Sequence, residues 1–181
     1  MRMRALMILI FALIAPIAAL AQSKPAAKPP AAAAAPAAKP PAPKPIGTFD
    51  DWQAATYDEG GQTVCYAFTK ARTSVPKISG REAILTVTHR VGMRDAVSIS
   101  AGFEFAPGAE VEVSADKAKF QFYTAKRSAF ARDGHAAITA FGGVKQMTTK
   151  SPHPQKKEVL DTFSAKGFAA AYGAINKACP K

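Results

Sequence analysis

The chain has 181 residues, 48% of them hydrophobic, with 24 Lys and Arg against 13 Asp and Glu and a formal net charge of +11. Such a size suits a single domain with extensions, and such a charge would suit an anionic partner such as nucleic acid. The placement of the charge argues otherwise: Arg2, Arg4, Lys24, Lys28, Lys39 and Lys44 precede the foldable part, and removing these six from the 24 leaves that part, with all 13 acids, at only +5. No nucleic-acid recognition motif accompanies it, so nucleic acid is not an expected partner.

Residues 1–21 have the form of a secretory signal peptide. Arg2 and Arg4 make a basic start, and an apolar run from Ala5 to Ala15 leads into AALAQ, with small residues at Ala19 and Ala21. That run falls short of the roughly 20 apolar residues that span a hydrocarbon core. Cleavage is expected between Ala21 and Gln22, and Gln22 in place of Cys excludes a lipid anchor at that position. Ile17 and Leu20 extend the apolar stretch past Pro16, which leaves an uncleaved anchor helix as the alternative.

Residues 22–45 read QSKPAAKPPAAAAAPAAKPPAPKP, a stretch that cannot bury a core and is expected to be a disordered linker. Proline favours an extended polyproline II path of about 3.1 Å per residue, giving a reach of roughly 70 Å. Lys24, Lys28, Lys39 and Lys44 give this tether an affinity for anionic surfaces, so a weak contact with an anionic envelope polymer stands beside the plainer reading of a solvated spacer.

The folded domain is expected over 46–181. Its first half reads as strands separated by Gly, Pro and Asp: DWQAATY, QTVCYAFTK, EAILTVTHR and DAVSISAG. AEVEVS and AKFQFYT then alternate with period two about the turn at Ala115, Asp116 and Lys117, which predicts a hairpin with Val111, Val113, Phe120 and Phe122 on its core face. The spacing of Ile138 and Phe141 predicts a short helix near 134–141, closed by Gly142 and Gly143. VKQMTTK and EVLDTFSA follow as strands, with SPHPQ between them as a rigid loop. In GFAAAYGAINKAC, Phe168, Tyr172, Ile175 and Cys179 fall on one face of a carboxy-terminal helix. The whole pattern is mainly β, a β-sandwich with one or two short helices.

Cys65 and Cys179 are the two cysteines. In an oxidising compartment an even count reads most simply as one disulfide, with two buried free thiols as the alternative.

Chemistry is sparse. His89, His135 and His153 lack a second ligand at metal-site spacing, so no metal or other cofactor is expected. His153, between Pro152 and Pro154, is the one histidine a rigid loop could present. A triad of Ser164, His89 and Asp161 can be written on paper, but no GxSxG elbow exposes the serine. Glu110 and Glu112 alternate with Val as a solvated strand face does, and the aromatics and Met147 read as core rather than as a ligand box. No catalytic residue is assigned.

FDDW at 49–52, CY at 65–66, VTHR at 87–90, Gly102 and DTFSAKGFAAAYGAINKAC at 161–179 together resemble the invasion-associated locus B family of exported alphaproteobacterial proteins. The resemblance implies an immunoglobulin-like β-sandwich in the periplasm or envelope, an association with host-cell invasion in pathogenic members, and no established catalytic mechanism. This chain departs from it in having Asp50 for the usual Gly, Phe130 for Trp and Phe163 for Tyr, and in replacing an Arg-Gly-Thr turn by SPHPQKK. The function expected is that of a periplasmic or secreted, non-enzymatic binding or structural module with an envelope or host-surface partner. An envelope hydrolase or inhibitor and an assembly or stress chaperone are the alternatives.

Overall fold

The computed structural model describes residues 42–180, with the side chains of 156 and 157 outside that description. The expected signal peptide, the Ala21–Gln22 cleavage point, and Lys24, Lys28 and Lys39 all lie outside the described residues.

Eleven strands form one antiparallel ladder: β1 (Lys44–Phe49), β2 (Trp52–Glu59), β3 (Gln62–Lys70), β4 (Thr73–Val75), β5 (Ile84–Arg90), β6 (Met93–Ser100), β7 (Glu110–Ala115), β8 (Ala118–Ala125), β9 (Ser128–Ala131), β10 (Gln146–His153) and β11 (Lys156–Ser164). Their spatial order is β1-β2-β3-β5-β6-β9-β8-β7-β10-β11-β4. The sheet folds over on itself, because its two ends share one interior. Trp52 of β2 donates its indole N–H to the Ser164 carbonyl at the end of β11 (2.9 Å), and the Arg72 N–H, just after β3, bonds the Thr162 carbonyl of β11 (2.8 Å). Chain flow explains the fold-over: between β3 and β5 the chain leaves the first half to add β4 to β11, then returns. The result is sandwich-like, with Trp52, Leu85, Val87, Val97 and Ile99 meeting Val111, Val113, Phe122, Met147 and Phe163 in the core.

The predicted hairpin is present in the predicted register, Val111 opposite Phe122 and Val113 opposite Phe120. Phe120 is only half-buried, whereas the other three are fully enclosed. Helix α1 (Gly134–Phe141) begins where Asp133 accepts the Ala136 N–H on its carboxylate (2.9 Å), an N-cap that satisfies one of the free donors of the first turn. Helix α2 (Phe168–Ala178) packs on β1, β2 and β3 through Phe168, Ala171 and Ile175, with the Phe168 ring 4.9 Å from that of Trp52.

Three expectations need correction. Among the described residues the first strand begins at Lys44 and not after Pro45, since Lys44 pairs with Thr56 and Pro45 with Ala55 in an edge strand, where proline's missing N–H costs no ladder bond. Lys44 is therefore anchored to the domain rather than part of the tether. SPHPQ is not all loop: β10 runs through His153, and a register shift between Ser151 and His153 accommodates Pro152. The strands β1, β4 and β9 were not anticipated.

Candidate functional site

The residues from which chemistry could be assembled are each engaged in a separate bond. Asp161 is fully buried and grips the equally enclosed Arg81: Arg81 Nη1 lies 2.7 Å from Oδ1 and Nη2 2.6 Å from Oδ2, while Ser74 donates to Oδ1 at 2.6 Å. Arg81 Nε also bonds the Ala101 carbonyl (2.6 Å), and its guanidinium lies over the Phe103 ring. This clamp explains Gly102, where φ is +77° and an added Cβ would sit 2.8 Å from the Arg81 stem. The Ser164 hydroxyl accepts from the Lys166 N–H. Asp161 is bonded to Arg81 and Ser74 while His89 accepts the Asp95 N–H, so the paper triad has no His–Asp bond. Glu110 pairs with Arg132 (2.6 Å) and Glu112 with Lys119 (3.3 Å). His153 accepts the Gln155 N–H on Nδ1 and meets the Phe103 ring edge-on, which turns it inward. Among the described residues no group of three or more His, Cys, Asp or Glu could hold a metal ion.

One polar cluster gathers far-separated residues. At the bulge where Thr88 faces Ala96 but Arg90 faces Met93, Asp95 takes φ of +58°. Its N–H donates to His89 Nδ1 (3.2 Å), its Oδ1 accepts from the Tyr172 hydroxyl (2.8 Å), and its Oδ2 lies 3.3 Å from His135 Nδ1. Beside it Arg94 donates to the Asn176 side chain and the Cys179 carbonyl, both at 2.6 Å. Burial pushes the His89 imidazole below its ordinary pKa, with Arg94 adding to the effect, so His89 is neutral at pH 7. Burial alone would raise the Asp95 carboxyl; the hydrogen bonds from Tyr172 and His135 outweigh it and hold the group low. The cluster pins α1 and α2 to the β5–β6 hairpin. Gly134 completes it, because a Cβ there would fall 1.7 Å from the Asp95 carbonyl oxygen. The disulfide adds a covalent brace, joining Cys65 of β3 to Cys179 at the end of α2 with Cα atoms 6.0 Å apart.

The surface best suited to recognition is the outer face of the sheet. On β3 the inward positions carry Cys65, Ala67 and Thr69, and the outward ones carry Tyr66 and Phe68. The register continues this outer row across the sheet: Phe68 faces Thr86, Thr86 faces Ser98, Ser98 faces Phe130 and Phe130 faces Tyr123. A shallow trough results. Its floor is Thr86, Thr88, Ala96 and Ser98, all small. One wall is built of Tyr57, Tyr66 and Phe68, with successive ring centroids 5.7 and 5.9 Å apart. The other is Tyr123 stacked on Phe130 at 5.5 Å, with the Arg132 guanidinium over Tyr123. These rings were expected in the core. The signal that could have placed them outside is the alternation in QTVCYAFTK, where Cys, Ala and Thr interleave with Tyr and Phe, so that only one set can face in.

A folded-over antiparallel sheet, closed by a carboxy-terminal helix and braced by a disulfide, defines the chain as a β-sandwich-like domain in which buried charge serves as scaffold. The chain belongs to the invasion associated locus B (IalB) family, whose sequence profile matches residues 52–176. Its fold is similar to the crystal structure of invasion associated protein B from Bartonella henselae, with a TM-score of 0.52 at 13% identity, over 73% of this chain and 95% of that one. Identity at that level speaks to fold alone. No curated protein matches the sequence.

Proposed function

We propose that this chain is an exported, non-enzymatic binding module of the bacterial envelope, released by cleavage between Ala21 and Gln22, that recognises its partner through the outer face of the sheet. The observation that carries this reading is the aromatic-walled trough. Half-exposed tyrosine and phenylalanine rings are placed there at the expense of core volume, and rigid amphipathic rings of this kind supply contact area at low entropic cost. Family membership supports the envelope setting, and no helix among the described residues is long and apolar enough to cross a membrane. Lys24, Lys28 and Lys39 of the tether add a screened attraction to anionic envelope polymer, with Lys44 at the domain's edge.

Affinity capture from whole envelopes tests the reading. The double variant Tyr66→Ser/Phe68→Ser is expected to lose most of the captured partner while its far-ultraviolet circular dichroism stays unchanged. Undiminished capture by a folded double variant would refute it. The tether's share is read separately, as capture that falls between 0.1 M and 1 M salt, where the Debye length shrinks from about 10 Å to about 3 Å.

A further inference from the structure

We propose that the trough is a saccharide-binding site and that its ligand is an uncharged glycan chain. This assignment rests on reading the outer face as a binding surface, and it adds the chemical class of the ligand.

The first observation is what the trough is made of. Two shallow depressions, of about 460 and 360 Å³, meet at Thr88. Tyr57, Tyr66 and Phe68 bound the first, and Tyr123 and Phe130 bound the second. Between these rings the hydroxyls of Thr86, Thr88 and Ser98 stand on the floor beside Ala96. A sugar ring is amphipathic in the same way: its C–H faces pack on aromatic rings, while the hydroxyls on its rim both donate and accept. An apolar helix face or an acyl chain laid on this floor would strip three hydroxyls of water and give them no partner.

The second observation is the backbone under the floor. β5 is paired on both sides, with β3 and β6, and β6 is paired with β5 and β9. An extended peptide gains its affinity by adding to a free sheet edge, and here its N–H and C=O groups would meet no ladder to join.

The third is charge. On one wall Arg90 lies 2.8 Å from Glu59 and donates to the Tyr57 hydroxyl; on the other Arg132, over the Tyr123 ring, lies 2.6 Å from Glu110. Arg94 and Asp95 border the second depression, but their bonds turn the arginine to Asn176 and the Cys179 carbonyl and the carboxylate to Tyr172 and His135. Each wall therefore carries no net charge, which suits a neutral polymer and not a nucleic acid or an acidic one. The paired planar groups, all partly exposed, offer side-by-side donors and acceptors to neighbouring sugar hydroxyls.

The fourth is length. From Phe68 on β3 to Phe130 on β9 there are three strand-to-strand steps, about 14 Å at roughly 4.8 Å each. A single sugar ring meets one wall, so a ligand that touches both is an oligosaccharide.

Nuclear magnetic resonance titration of the exported chain, tether intact, with three neutral hexasaccharides (cellohexaose, maltohexaose and chitohexaose) tests the assignment. At least one is expected to shift the ring resonances of Phe68, Tyr123 and Phe130 while the indole of the buried Trp52 stays in place. That hexasaccharide should bind about tenfold or more tightly than its own disaccharide, and its affinity should change less than about twofold between 0.1 M and 1 M salt. Phe130→Ser, in a protein whose Trp52 signal is native, should weaken it about tenfold. Rings unmoved by all three hexasaccharides overturn the proposal. Hexagalacturonate that shifts the same rings more strongly than any of them, with an affinity that falls as salt rises, overturns it too, since the ligand would then be acidic. Equal affinity for hexasaccharide and disaccharide removes the two-walled site. Loss of envelope capture in Tyr66→Ser/Phe68→Ser alongside any of these negatives leaves the binding-surface reading standing and removes only the neutral glycan from it.

Discussion

Truncating Asp161 to alanine isolates the most demanding electrostatic contact in the domain. Asp161 is 0% exposed and Arg81 3%, and the carboxylate accepts two charge-assisted bonds from Arg81 and one from Ser74. Asp161→Ala leaves a guanidinium enclosed without its counter-charge, a change that costs about 3 to 5 kcal/mol, because neither water nor another acid can reach it. For the roughly 140 residues of the folded part, an unfolding entropy of about 2.1 cal/mol/K per residue converts this to a fall in melting temperature of roughly 10 to 17 °C. The double variant Arg81→Met/Asp161→Leu removes both charges and keeps apolar volume, so it should recover most of the loss. Urea unfolding of wild type, Arg81→Met, Asp161→Leu and the double variant closes the cycle. A loss under about 1 kcal/mol for Asp161→Ala, or a double variant as weak as the sum of the singles, would refute the clamp as described.

Further outcomes follow from the same geometry. Cys65→Ser removes a bridge that closes a sequence separation of 114 and should cost about 2 to 4 kcal/mol under non-reducing conditions, read as a lower melting temperature; two reactive groups in a thiol titration of the oxidised wild type would contradict the bond. His89 is a base whose folded pKa lies below its ordinary 6.5, so the unfolded chain binds the extra proton first: stability should be complete above about pH 6.5 and decline as pH falls below it toward the folded value, ahead of the loss from Asp95 at lower pH still. His89→Gln should flatten that decline in melts at pH 7, 6 and 5, and an unchanged slope would count against it. Gly167, with φ of +88° and a would-be Cβ 1.9 Å from the Phe49 carbonyl oxygen, should tolerate alanine badly, losing more than the ~1 to 2 kcal/mol of left-handed strain. Gly173, inside α2 with open space around it, should gain about 1 kcal/mol on the same change, and calorimetry distinguishes the two.

Much of the fold was legible because it rests on local periodicity. The β7–β8 hairpin alternates cleanly, and the stripe Phe168, Tyr172, Ile175 and Cys179 has helical spacing with nothing to contradict it. The elements that escaped are those whose existence depends on a distant partner. β1 carries Pro45 and Gly47, which read as linker until β2 supplies a ladder; β4 is three residues long and is held by β11; β9 is four residues between turns. In SPHPQ the two prolines gave a turn signal that a bulge overrode. The Asp95 cluster was invisible for a related reason, since its partners His135 and Tyr172 are 40 and 77 residues away. Asp50 is instructive in the other direction: the family resemblance leads to glycine there, and the backbone has φ of +49°, a conformation aspartate tolerates better than most residues.

The inversion on β3, small side chains inward and large rings outward, divides labour between the two faces of a single strand. Because Cys65 and Ala67 take up little interior volume, α2 can approach closely and the covalent brace can form, while the rings outside lie off the core. Substitutions at Tyr66 and Phe68 therefore leave the core residues behind the sheet in place. A lineage of such proteins could exchange one set of outer rings for another and so change what it contacts, with no compensating adjustment behind the sheet.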